Sequence, residues 1–255
     1  MPSQIPNDDV AAQAEAKYRE ALSLVRAEQN AQDMERAVKL FMEAADMGHV
    51  RSQCNVGFLY SEGMGVNKDM KKAVEYFQKA ADNGNAQAQA NLGVYYEQGN
   101  GVEKNIDTAI SWYEKAAALR QPDAAFNLAL FYYTGEHVGK DYDKAIRLFR
   151  VAADQYHPAA CYSLGLCYNL GQGVEKDDNM AVFYYKLSAD KGHTSATFNL
   201  GLHFYYGMGG LEVDKQEALE LFKKASANGH AKAKEALDSL LAELDAASKK
   251  VEDDK

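Results

Sequence analysis

Apolar residues recur along this chain at helical spacing, and the helical stretches themselves recur. From Asp9 onward, Tyr18, Ala21, Leu22 and Val25 form one apolar stripe and predict a first amphipathic helix. Asn30 and Asp33 interrupt it, and a second helix is expected from Met34 to Asp46. Five better-formed units follow at 50–85, 86–121, 122–157, 158–193 and 194–230, each reading helix, turn, helix. In the first helix of each unit, helix A, Gly57, Gly93, Gly165 and Gly201 stand on a grid of 36 residues, with Ala129 in the same slot. Turn glycines Gly63, Gly99, Gly135, Gly171 and Gly207 keep the same grid. Asp69, Asn105, Asp141, Asp177 and Asp214 then read as N-caps of the second helix, helix B. A period of this length marks a stacked helical repeat. Glycine inside a helix costs about 1 kcal/mol, so its recurrence needs a packing reason, the close approach of helix B.

The flanks break the pattern in informative ways. Residues 1–8 read as a disordered lead-in, and 9–48 as a degenerate N-terminal capping repeat. After His230, the stripe Ala233, Leu237, Leu240, Leu241 and Leu244 predicts a C-terminal capping helix over 231–247, followed by a charged, disordered tail at 248–255. Asp214 and Glu217 have capping-box spacing. In the third unit Ala129 replaces the helix glycine, His137 a turn glycine, and Arg120–Gln121–Pro122 the preceding closing glycine.

Composition narrows the function classes. With 47% hydrophobic and 25% charged residues the chain is that of a folded protein. A net charge of −9 argues against nucleic acid and, more weakly, against an anionic membrane surface. No apolar run reaches membrane-spanning length, and the N-terminus shows no secretory signal. Together with three cysteines lacking paired spacing, Cys54, Cys161 and Cys167, this sets a cytoplasmic location as the default expectation.

The recurring unit, with Leu-Gly-x-x-Tyr in helix A, the Gly-x-Gly-Val turn, the capping Asp and the closing Ala-Ala-x-x-Gly, closely resembles the Sel-1-like repeat, a relative of the tetratricopeptide repeat. The match is clean at Asn91–Asp107 and Leu164–Gly192. The resemblance implies an all-α fold: a right-handed α/α superhelix, or solenoid, of about six repeats with a C-terminal capping helix. It also implies a non-enzymatic scaffold or adaptor that holds a peptide segment or partner protein in a concave groove lined by the A helices.

Within that groove the expected contacts are the amide column Asn55, Asn91, Asn127 and Asn199, with Ser163 in register. Primary amides both donate and accept, which suits an extended backbone. Aromatic candidates beside them are Phe126, Tyr162 and Phe198, then Tyr133, Tyr205 and Tyr206. An equal reading has the same amides and rings packing one repeat on the next. The inward columns hold no Lys or Arg, which argues against capture of an acidic C-terminal tail.

No cofactor, metal or catalytic set is expected. The Gly-x-Gly turns lack the further features of a phosphate loop. The histidines His49, His157, His193 and His230 lie a whole unit apart, too far to share an ion, and read as helix-end residues on the carbonyl end of helix B. Two alternatives stay open. One is a hydrolase or sensor for a β-lactam or cell-wall fragment, suggested by some Sel-1-like proteins that are, however, cysteine-rich. The other is a structural subunit of a larger assembly. The expected partner is a protein or peptide, with no nucleic acid and no membrane insertion, and the chain is expected as a monomer or weak dimer.

Overall fold

The computed structural model describes residues 8–27 and 31–253, and the described residues form thirteen α-helices and no strand. Two compact units divide the chain, one up to Ala124 and one from Ala125. The first holds α1 (Asp8–Ala27), α2 (Ala31–Asp46), α3 (Val50–Glu62), α4 (Met70–Asp82), α5 (Ala86–Gln98) and α6 (Ile106–Ala118). Helix α7 (Pro122–Thr134) begins at its edge and lies mainly in the second unit. The second unit continues with α8 (Tyr142–Ala153), α9 (Pro158–Leu170), α10 (Asp178–Asp190), α11 (Thr194–Tyr206), α12 (Lys215–Ala227) and α13 (Ala231–Asp253). The division falls beside Arg120–Gln121–Pro122, where the repeat departs from its own pattern.

Most boundaries follow the hydrophobic pattern; the differences are local. The break expected at Asn30 lies outside the described residues, and α2 already begins at Ala31. Helix α13 runs on to Asp253, so the stretch from Ser248, expected as a disordered charged tail, continues the helix. Lead-in positions before Asp8 lie outside the described residues.

The recurring glycine of helix A makes room for a ring rather than for a backbone. A Cβ on Gly93 would stand 2.4 Å from Cε1 of Tyr113, and one on Gly165 2.5 Å from Cε1 of Tyr185. Both rings are fully buried. The second bulky residue of helix B is thus the knob, and the glycine is the hole. Around such sockets one cluster in the first unit gathers Cys54, Val74, Phe77, Leu92 and Trp112, with Val102 of the turn packed against it. The tyrosines three residues after the glycine sit at the edge of the core, not inside it. Tyr60 and Tyr168 are half-buried, and each stacks on a helix B tyrosine, Tyr76 at 5.8 Å and Tyr184 at 5.7 Å between centroids.

All five expected Asx N-caps form: Asp69 accepts the Lys72 amide at 3.0 Å, and Asn105, Asp141, Asp177 and Asp214 do the same for their own helices. The capping box at Asp214 is only half made. Its side chain accepts from Glu217, but its own N–H donates to the Phe204 carbonyl at 2.9 Å. Asp69 does likewise to Tyr60, so the cap residue's amide ties helix B back to helix A.

The histidine column requires a correction. These residues open the next helix A rather than resting on the carbonyls of helix B by charge. Nδ1 of His49, His157, His193 and His230 accepts the backbone amide three residues ahead, at 3.1–3.2 Å. Asn85 and Gln121 hold the same place and bond in the same way, to Ala88 and Ala124. The backbone N–H of each residue meanwhile closes the preceding helix, as His193 does on the Ser188 carbonyl at 3.1 Å. One residue ends helix B with its main chain and starts helix A with its side chain.

Candidate partner-binding face

The helix A aromatics expected as peptide anchors are placed in three-ring stacks. Phe126 lies 4.8 Å from the His157 ring and 5.9 Å from Phe149. Tyr162 stands 4.5 Å from His193 and 6.1 Å from Tyr185, and Phe198 stands 4.5 Å from His230 and 5.6 Å from Phe222. In each stack the ring is half-buried between a helix B aromatic and the next N-cap imidazole. Tyr133 is likewise engaged: its hydroxyl donates to Gln172 and its ring meets Tyr142 at 5.4 Å. Tyr205 donates to Glu243 at 2.9 Å, while Tyr206, set edge-on to it at 4.8 Å, is 62% exposed.

The amide column is half-buried throughout. In the first unit Asn91 accepts from Gln87 at 3.2 Å on its own helix, and Asn55 lines a small apolar cavity of about 180 Å³ with Phe41 and Phe58. In the second unit Asn199 acts on the hydroxyls of Tyr162 and Tyr185, though Tyr185 finds no partner in bonding geometry.

A further column was within reach of the sequence but emerges fully only in three dimensions. Three residues beyond each of the four asparagines and Ser163, on the same side of the helix, stand Phe58, Val94, Leu130, Leu166 and Leu202. The four aliphatic members are half-buried, Leu166 and Leu202 resting against the core, and Phe58 is half exposed. In the second unit α7, α9 and α11 thus carry Leu130, Leu166 and Leu202 beside Asn127, Ser163 and Asn199, with Leu170 and Tyr206 exposed one turn further on. No ionisable side chain occupies the amide and leucine columns. Glu243 of α13 lies nearby; the Lys215 ammonium, and then the Tyr205 hydroxyl, hold its carboxyl below the usual range.

Nucleophiles are muted. All three cysteines are buried and free, and burial pushes the Cys54 and Cys167 thiols up to about 11. Among the described residues no group of three or more His, Cys, Asp or Glu is placed to hold a metal. No described helix is long and apolar enough to cross a membrane.

A helix-pair repeat with glycine sockets, Asx-capped B helices and uncharged amide and leucine columns on its A helices defines an α-helical repeat protein. The Sel1 repeat model matches residues 31–49, 50–85, 86–120, 122–157, 158–193 and 194–230, and the chain belongs to the Sel1 repeat family. Proteins of this family are generally protein–protein interaction modules and typically non-catalytic scaffolds. Among solved structures, the chain is similar to c5321 of uropathogenic Escherichia coli, described as a protective antigen displaying an SLR fold, with 29% identity and a TM-score of 0.82. That match covers 92% of this chain but only 50% of c5321, so the chain spans half the length of that relative. A Sel1 repeat protein from Oxalobacter formigenes is 37% identical with a TM-score of 0.78, over 88% of this chain and 89% of its own. The immunity protein Pa5087 of Pseudomonas aeruginosa is 27% identical with a TM-score of 0.53, over 89% and 84%. No curated protein matches the sequence.

Proposed function

We infer that the second unit is a non-enzymatic docking module that holds an uncharged segment of a partner protein against α7, α9 and α11. The observation that carries this reading is the leucine column Leu130, Leu166 and Leu202, only half-buried and in register with Asn127, Ser163 and Asn199. In a chain of net charge −9, a face with no ionisable side chain in either column is a departure in composition. Leucine offers apolar area, and a primary amide offers a donor and an acceptor to a partner backbone. Of the aromatic candidates, Tyr206 is the one left largely open to a ligand. Phe126, Tyr162 and Phe198 serve the same face from behind, by fixing successive A helices through the imidazole caps.

The test is affinity capture from the native host with the wild-type chain and with Leu166→Glu. The reading expects a specific binder whose recovery falls at least about tenfold in the variant, since a charge would be buried without a partner. Leu166 is half-buried against the Ala181–Tyr185 cluster, so the variant should lose some stability, and recovery is compared at a temperature where circular dichroism shows both chains folded. A binder retained in full by the folded variant removes this face from consideration.

A further inference from the structure

The end of the second unit departs from the repeat, and the departure leaves a cavity. His193 and His230 each accept the amide three residues ahead, from Ala196 at 3.2 Å and from Ala233 at 3.1 Å. These equivalent caps set the register of α13 against α11. Ala236 therefore takes the place of Asn199, and Ser239 the place of Leu202. Both columns of the open face shrink at this helix. A cavity of about 230 Å³ lies there, lined on one side by Leu202 and Tyr205 and on the other by Ala236 and Ser239. Phe222 and Leu240, both almost fully buried, complete its apolar lining.

Tyr206, 62% exposed, stands at the rim of this lining, and the other two polar side chains are already engaged. The Ser239 hydroxyl donates to the Glu235 carbonyl at 2.8 Å, and the Tyr205 hydroxyl donates to Glu243 at 2.9 Å. Glu243 is also paired with Lys215. A charged occupant would lose water and meet no opposite charge in the lining, whose one open polar group is the Tyr206 phenol at the rim. An aliphatic side chain would regain the contacts that the serine cannot make. Leu202 belongs both to this cavity and to the leucine column, so the two surfaces are continuous.

Resting on the open-face reading, we propose that this cavity seats one leucine- or methionine-sized side chain of the partner segment. The partner supplies from outside the leucine that Ser239 omits. It is an uncharged segment, with its aliphatic anchor placed to reach α11 and α13 while the neighbouring residues lie along Leu166 and Leu202.

The probes are capped peptides of sequence Ser-Gly-Ser-X-Ser-Gly-Ser with X as Leu, Met, Ala or Glu. They are titrated into the full chain, and the leucine methyl signals of Leu202 and Leu240 are followed by NMR. The Leu and Met peptides should shift these signals saturably and at least about tenfold more tightly than the Ala peptide, from the added apolar burial. The Glu peptide should leave them unmoved. Ser239→Leu should fill the space, raise the Tm and abolish the shifts; if it misfolds, Ala236→Leu fills the same space. Equal response to all four peptides, or shifts that survive a filled cavity, overturns the proposal. Partner capture from the host separates the two readings. Capture lost with Leu166→Glu but retained with Ser239→Leu keeps the open face and rejects the anchor. Capture unaffected by Leu166→Glu rejects the face and, with it, the anchor.

Discussion

The α5–α6 pair of the first unit and the α9–α10 pair of the second are built on the same socket, yet they end in opposite polar states. In both, a fully buried tyrosine of helix B presses on a glycine of helix A. The Tyr113 hydroxyl donates to Glu97 at 2.6 Å. Asn169 takes the place of Glu97 in the second unit, and its amide donates instead to Asp178 at 3.0 Å. Tyr185 is left without a hydrogen-bond partner. Burial pushes its phenol far above the ordinary range, and the nearby Asn199 amide offsets this only in part. The repeat therefore specifies the ring and the hole, while a third position, four residues after the glycine, decides whether the hydroxyl is satisfied. An unsatisfied buried hydroxyl costs about 1–3 kcal/mol, which the second unit carries and the first does not.

Replacing the tyrosines breaks the comparison most directly. Tyr113→Phe removes a charge-assisted hydrogen bond and should destabilise by roughly 1.5–3 kcal/mol. Tyr185→Phe removes an orphan group and should be neutral or stabilising by about 1 kcal/mol. Urea midpoints of the two variants, with unchanged slopes, check the signs. Two equal losses would mean that Tyr185 is as well bonded as Tyr113.

The glycines sharpen it further. A methyl on Gly93 meets a ring tethered through its hydroxyl, and a methyl on Gly165 meets one without that tether, though equally buried and packed against Tyr162 and His203. Overpacking costs about 1–3 kcal/mol, against a helix-propensity gain of about 1 kcal/mol for alanine over glycine. Gly93→Ala should thus destabilise by about 1–2 kcal/mol and Gly165→Ala by less, since its ring lacks the hydroxyl tether. Local hydrogen exchange in α5–α6 and in α9–α10 reads each cost in its own unit.

How much of this could be read from the chain depends on how local each cause is. The turn glycines and the Asx caps act within one turn, and the helix A glycines meet the very next helix, so those elements stand where the spacing put them. The histidine caps do not follow from the local pattern, because histidine lies outside the usual capping set. Asn85 in the same column was the available signal: an asparagine there already speaks for an N-cap. The stacking of Phe126, Tyr162 and Phe198 on those imidazoles joins side chains about a repeat apart, beyond any local pattern. The open face was legible as columns, but the cavity was not. Placing Ser239 opposite Leu202 requires the register of α13, which the His230 cap sets.

The same caps divide the units in a second way, with a smaller effect. The second unit begins α9, α11 and α13 with His157, His193 and His230, whereas in the first unit His49 caps α3 but Asn85 caps α5. An imidazole can accept the amide only while Nδ1 keeps its lone pair, and protonation turns that nitrogen into a donor. For His193, burial and then the neighbouring His157 lower the folded pKa below the ordinary value of 6.5. The folded state then binds fewer protons than the unfolded state. The stabilisation is fully present above about pH 6.5 and is lost as the pH falls through the lowered folded value. Each cap is worth about 1 kcal/mol. His193→Asn, which copies the solution at Asn85, should match the wild type within about 0.5 kcal/mol at pH 7.5 and exceed it at pH 5. Denaturation at the two pH values checks the crossover, and hydrogen exchange should place the acid loss at the start of α11 while α5 keeps its protection. A wild-type chain that loses stability equally in α5 and α11 between these pH values would show that the histidine caps make no difference between the units.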